Sequence, residues 1–220
     1  MNTRDKRERA IIFIDGNNFY HGMRAVHKLT TGIGFDYGAF SKKLIGPREW
    51  VETRYYVGQV QQKGDLTRYQ EQRKFLAYLE KSPYMRICLG RMESHPAKNR
   101  DERRLRRWLR ALPYRNDVNV SSSIVDELKS IADTADQPVW TEKAVDVMIA
   151  TDIVSMAYEK QYDVAYLVSA DGDFAPAAEK ARLVGRKIFA ASPQHGHQLA
   201  QAVDTFISLK NREFFHGCWN

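Results

Sequence analysis

AIIFIDGNN, residues 10–18, decides the fold. The run Ala10–Ile14 is rich in β-branched and aromatic side chains and stops abruptly at Asp15-Gly16, which is how a buried strand ends in a turn. Asn17 or Asn18 can then cap a helix running to about His27. The pattern recurs at residues 163–172, where DVAYLVS closes on the turn Ala170-Asp171-Gly172. Asp173 can cap the next helix, and Pro176 is tolerated in its first turn. In open α/β sheets the working crevice lies beyond the carboxyl ends of the strands. Asp15 and Asp171 are therefore expected at one edge of one sheet.

Working outward, Asp36 caps a short helix that stops at Gly46-Pro47. Glu49 to Val60 reads as a strand. Asp65 to Lys81 reads as an amphipathic helix with Leu66, Tyr69, Phe75, Leu76 and Leu79 on its apolar side. Met85 to Leu89 is the next apolar strand. The pattern breaks at about 91–138, first arginine-rich and then acidic, with a short helix expected around Asp101 to Ala111. Thr141 can cap a helix running to about Lys160, and Gly185 ends the helix after Asp173. Lys187 to Ala191 reads as a strand, and a helix is expected near Gln198 to Val203. Strands alternating with helices argue for an α/β fold: a three-layer α/β/α sandwich around a central, mainly parallel sheet.

The chain has 220 residues, 43% of them hydrophobic, which suits a single globular domain carrying an insertion at about 91–138. No apolar run approaches the length of a membrane span. The charged start MNTRDKRERA is not followed by an apolar stretch of leader length, so a cytoplasmic protein is expected, with no membrane partner. Cys88 and Cys218 make neither a CxxC pair nor a disulfide framework, and the ligand spacing of structural zinc is missing. A net charge of +7 and a pI near 9.4 favour a polyanionic partner.

Acidic residues carry the chemistry. Asp15 alone reads as a turn residue, but DGNN sets one carboxylate and two amides beside a helix start. Asn17 or Asn18 could support Asp15 or a metal-bound water. Asp146 lies in the apolar run KAVDVMIA, where an unpartnered carboxylate would cost several kcal/mol. It must face solvent, pair with Lys143 one turn away, or bind a metal. Asp171 and Asp173, in SADGDF, serve as turn and cap residues or as oxygen ligands for a hard divalent cation. Crowded carboxylates repel one another, and a divalent ion relieves that repulsion. Mg²⁺ or Mn²⁺ suits an all-oxygen set and would activate water against a phosphodiester. Asp152, six positions from Asp146, points to another side of the helix and reads as structural. His195 and His197 alternate in a loop, and a substrate contact is the preferred reading over a metal role. Arg54, Lys180 and Arg182 read as solvated.

FIDGNNFY at 13–20, EKAVDVMIATDIVSMA at 142–157 and VAYLVSADGDFAPAAEKARLVGRKIFA at 164–190, in this order, resemble the NYN domain family, a branch of the PIN-like nucleases. LAQAVDTFISL at 199–209 adds to the likeness, which is strongest with the bacterial LabA-like group. The resemblance covers about 9–90 and 139–210. It implies a PIN-like fold and an endoribonuclease dependent on Mg²⁺ or Mn²⁺. It carries the catalytic, metal-holding role onto Asp15, Asp146, Asp171 and Asp173, with Asn18 at the position that supports the first acid.

NRDERRLRRWLR, residues 99–110, supplies a basic cluster with an aromatic inside it. Arg103, Arg104, Arg106, Arg107 and Arg110 suit phosphates, and Trp108 suits a base of a single strand. Leu105, Trp108 and Leu109 at helical spacing equally suit packing, with the arginines turned to RNA, to a protein partner or to solvent. Tyr20, His21 and Lys63 could line the cleft. The expected partner is single-stranded or flexible RNA, with single-stranded DNA, a homo-oligomer and a protein partner left open. The alternative function is a non-catalytic RNA-binding or regulatory module on a nuclease-like fold.

Overall fold

Strand β1 (Arg9–Asp15) forms because its residues can be buried on both faces at once. Ala10 through Ile14 are fully buried. Alternate side chains enter opposite layers. Ile12 and Ile14 pack with Phe19 and Met23 of α1 (Gly16–His27), Phe40 and Leu44 of α2 (Tyr37–Ile45) and Leu79 of α3 (Leu66–Leu79). Ile11 and Phe13 pack with Ile149 and Ile153 of α6 (Val145–Tyr158), Ala178 and Ala181 of α7 (Ala175–Leu183) and Leu199 of α8 (His197–Ala202). Helices thus cover both faces of the sheet, as the alternation of elements predicts.

This computed structural model describes residues 7–28, 32–62, 65–95, 100–112, 121–135 and 139–219. The remaining strands are β2 (Glu49–Gln59), β3 (Met85–His95), β4 (Val139–Lys143), β5 (Val164–Val168), β6 (Lys187–Ser192) and β7 (Thr205–Ser208). They form a seven-stranded sheet in the order β4-β3-β2-β1-β5-β6-β7. β1 is parallel to both β2 and β5, β2 to β3, β5 to β6, and β6 to β7. Chain order reverses between β1 and β5, so the switch point opens beside Asp15, the last residue of β1. At the opposite end, Asp163 accepts from the Arg9 backbone N–H at 2.9 Å and pairs with its guanidinium at 3.1 Å, tying β1 to β5.

The chain divides into two compact units, Met1–Arg91 with Lys143–Asn220, and Met92–Glu142. In the second unit, α4 (Arg100–Ala111) packs on α5 (Ser122–Ala135). α5 and β4 depart from the sequence expectation, which took 91–138 as an insertion or loop with one short helix around Asp101 to Ala111, and Thr141 as a helix cap. The segment Val139–Lys143 is a strand instead. The helix starts after Ala144, which has φ 72° and gives no side-chain cap. No helix among the described residues is long and apolar enough to cross a membrane.

Candidate active site

Asp15 ends β1 with both carboxylate oxygens engaged. Oδ1 accepts the Asn18 backbone N–H at 3.1 Å, so Asp15 itself caps α1. This corrects the sequence expectation that Asn17 or Asn18 is the cap. Oδ2 accepts the Ser169 hydroxyl at 3.1 Å. Asn18 works on the neighbouring strand end, its Oδ1 accepting the Ala170 N–H at 3.1 Å. Asn17 is exposed. Gly16 lets α1 start against β2, because a Cβ there would lie 2.5 Å from the Tyr55 ring and 2.6 Å from the Tyr56 carbonyl oxygen.

The β5 turn is built by the same few groups. Ser169 Oγ accepts the Asp171 N–H at 3.1 Å, and Asp171 Oδ1 accepts the Asp173 N–H at 2.9 Å. Asp171 therefore caps the 3₁₀ turn Gly172–Phe174, and α7 begins after Phe174 without a side-chain cap. The cap predicted for Asp173 is corrected accordingly. Asp173 and Asp146 are exposed, and Asp171 is half-buried. Ser169 is the functional neighbour that sequence reasoning missed. Its signal was a hydroxyl closing an apolar strand directly before the acidic turn.

Electrostatics join the four acids. Asp15 is only 4% exposed, and burial pushes its carboxyl up to about 6, the charges of Asp146 and Asp171 adding to the rise. Two hydrogen bonds, from Asn18 and Ser169, oppose it. Asp146 is raised by desolvation and then by Asp171 and Asp173. Among the described residues, none of the four has an ion-pair partner, Lys143 included. Nor do any three His, Cys, Asp or Glu side chains among them form a group ready to hold one ion. The four carboxylates offer only oxygen donors, the kind that a hard divalent cation takes.

The other candidates sort by their contacts. Asp152 is structural: it accepts from Arg54 at 2.7 Å and from the Tyr56 hydroxyl at 2.6 Å. Arg54 is not solvated as expected, because Glu52 holds its other side at 2.6 Å. Arg182 pairs with Asp204 at 3.0 Å, and Lys180 is exposed. Tyr20 is half-buried against exposed His21, their rings 5.5 Å apart. Lys63 lies outside the described residues.

The chain matches the NYN domain family over residues 9–210. It belongs to that family. NYN domains are a nuclease-like branch of the PIN-like superfamily. The match runs through the arginine-rich stretch, beyond the segments where the sequence resemblance was read. No curated protein matches the chain. A solved structure of a protein of unknown function from Vibrio parahaemolyticus is similar in fold, with a TM-score of 0.58 and 20% identity over 95% of this chain and 96% of that one. In the second unit of this NYN domain, α4 exposes Arg104, Arg107 and Arg110, keeps Trp108 half-buried and buries Leu109. The side chains of Leu105, Arg103 and Arg106 lie outside the described residues.

Proposed function

We propose that the protein is a metal-dependent endoribonuclease of the LabA-like kind, hydrolysing phosphodiesters of single-stranded or flexible RNA. The observation that supports this reading is Asp15 at the end of β1 with Asp171 just past β5, the charges of Asp146 and Asp171 bearing on Asp15 and those of Asp171 and Asp173 on Asp146, none of the four with an ion-pair partner among the described residues. Asp15, Asp146, Asp171 and Asp173 would hold Mg²⁺ or Mn²⁺. Such an ion supplies a Lewis acid and a bound water of lowered pKa. The protein's own part is placement. Asn18 and Ser169 fix both oxygens of Asp15, and the Asp171 turn hangs from the same hydroxyl. Asp146 and Asp173 stand at the exposed side, where an RNA phosphate would arrive.

Incubating purified protein with single-stranded RNA and Mg²⁺ or Mn²⁺ should give internal cleavage with 5′-phosphate ends, stopped by EDTA. Asp15→Asn should lower the rate by at least about 100-fold with an unchanged circular dichroism spectrum, since losing a ligand should cost no less than losing a supporting group. Cleavage that survives EDTA, or an undiminished Asp15→Asn enzyme, rejects the proposal. A second reading, a non-catalytic RNA-binding or regulatory module, draws on the exposed Arg104, Arg107 and Arg110 of α4. It is favoured if no RNA is cut with Mn²⁺ while deletion of 91–138 abolishes RNA binding. Single-stranded DNA in the same assay decides whether the site distinguishes the two nucleic acids.

A further inference from the structure

The segment Ser192–Gln198 carries two imidazoles that the proposed chemistry does not use. It is held from two sides. Pro193 packs on Gly22 of α1, where a Cβ would come within 3.4 Å of the proline ring. On the other side Gly196 lies against the Ala170 carbonyl so closely that a Cβ could not be accommodated, and the Gln198 side chain lies against Gly172. Ala170 and Gly172 flank Asp171. The residues on either side of Gly196, His195 and His197, are thereby fixed beside the acidic turn. Both are exposed. Their rings meet edge to face with centroids 4.5 Å apart, and His195 meets Phe206 of β7 at 5.4 Å.

The result is a short series of rings, Phe206–His195–His197, anchored at its inner end by half-buried Phe206 and open to solvent at its outer end. Stacking is how unpaired bases are held when no sequence is read, and histidine is among the side chains that do it. The clustered carboxylates repel phosphate, so a contact to the base that is not electrostatic would add to the hold on a nucleotide.

We propose that His195 and His197, backed by Phe206, form a stacking seat for a nucleobase of the single-stranded substrate, next to the nucleotide whose phosphate meets the aspartates. This rests on the nuclease reading for its substrate class. The two histidines are positioning residues. The seat accepts any base, because every base offers a π-face.

The test measures binding and cleavage separately. Binding of a short, fluorescently labelled single-stranded RNA is followed by anisotropy in the Asp15→Asn background, with His195→Ala, His197→Ala, His197→Phe and His197→Lys added in turn. Each alanine variant should weaken binding about fivefold or more, in line with stacking on one aromatic side chain. His197→Phe should restore it and His197→Lys should not. An RNA abasic at the seated position should bind all variants alike, which a merely structural role would not produce. In the cleaving enzyme the alanine variants should raise KM and leave kcat within about twofold. Rescue by lysine but not phenylalanine overturns the seat in favour of a phosphate contact, and unchanged binding in both alanine variants overturns it outright. Absence of cleavage in the parent enzyme with the binding pattern intact would reject the nuclease reading alone.

Discussion

Asp15 is a buried acid that the fold holds at a cost. Its carboxyl titrates at about 6 in the folded protein against an ordinary 3.8. Between those values the folded state keeps a proton that the unfolded state has lost. The associated stability is complete below pH 3.8 and disappears as pH rises through 6, a swing of up to about 3 kcal/mol. In EDTA, Asp15→Asn should therefore be more stable than the parent by about 2 kcal/mol at pH 8 and equal to it near pH 4, as read from urea unfolding at both values. Added Mg²⁺ should raise the melting temperature of the parent at pH 8 and not that of the variant. The places of Asp15 and Asp171 were legible in the sequence, because each closes or closely follows an apolar strand run. Their supports were not. Ser169 looks like any strand-end serine, and its hydroxyl matters only because β5 lies beside β1. Arg54 looked solvated although Glu52 lies two residues away on β2, because its other partner, Asp152, comes from a helix 98 positions along the chain.

At the scale of elements, close backbone approach sets the site. Gly16→Ala would drive a methyl into Tyr55 and the Tyr56 carbonyl, and overpacking of this kind costs about 1–3 kcal/mol. Because Gly16 follows Asp15, cleavage should fall along with stability. Ala144 offers the reverse case. Its φ of 72° is left-handed backbone, which an L side chain adopts at a cost of roughly 1–2 kcal/mol. Ala144→Gly should raise the urea midpoint by an amount worth about 1 kcal/mol, and an unchanged or lower midpoint would refute the strain. Most long elements were legible because they repeat their periodicity over several turns or pleats, but α5, 14 residues in a stretch read as a polar loop, was not. β7, only four residues long, and β4, read as a helix start, were not. Short strands take their identity from a partner strand, which local pattern does not name.

For the whole molecule, the separable unit Met92–Glu142 begins and ends at one place. A Cβ on Gly90 would stand 3.0 Å from the Lys143 carbonyl oxygen, so a few glycines could join Arg91 to Lys143. That variant should fold, with a single cooperative thermal transition. It lacks Arg104, Arg107 and Arg110, so the slope of log K against log salt for single-stranded RNA should flatten by about 2. An unchanged slope would show that these arginines do not meet phosphate.

β1 sits between a neighbour made soon after it and one made much later. During synthesis, β2 and β3 can reach it while its other edge stays bare, because β5 does not exist until residue 168. At bacterial or eukaryotic elongation speeds the delay is on the order of ten seconds. Over that interval the nascent chain offers an unpaired apolar strand edge, a target for chaperones and for faulty pairing. Asp15 and Asp171 reach neighbouring strand ends only once β5 has left the ribosome and paired with β1. If the protein cuts RNA, the nascent chain is inert at least until that point in its synthesis.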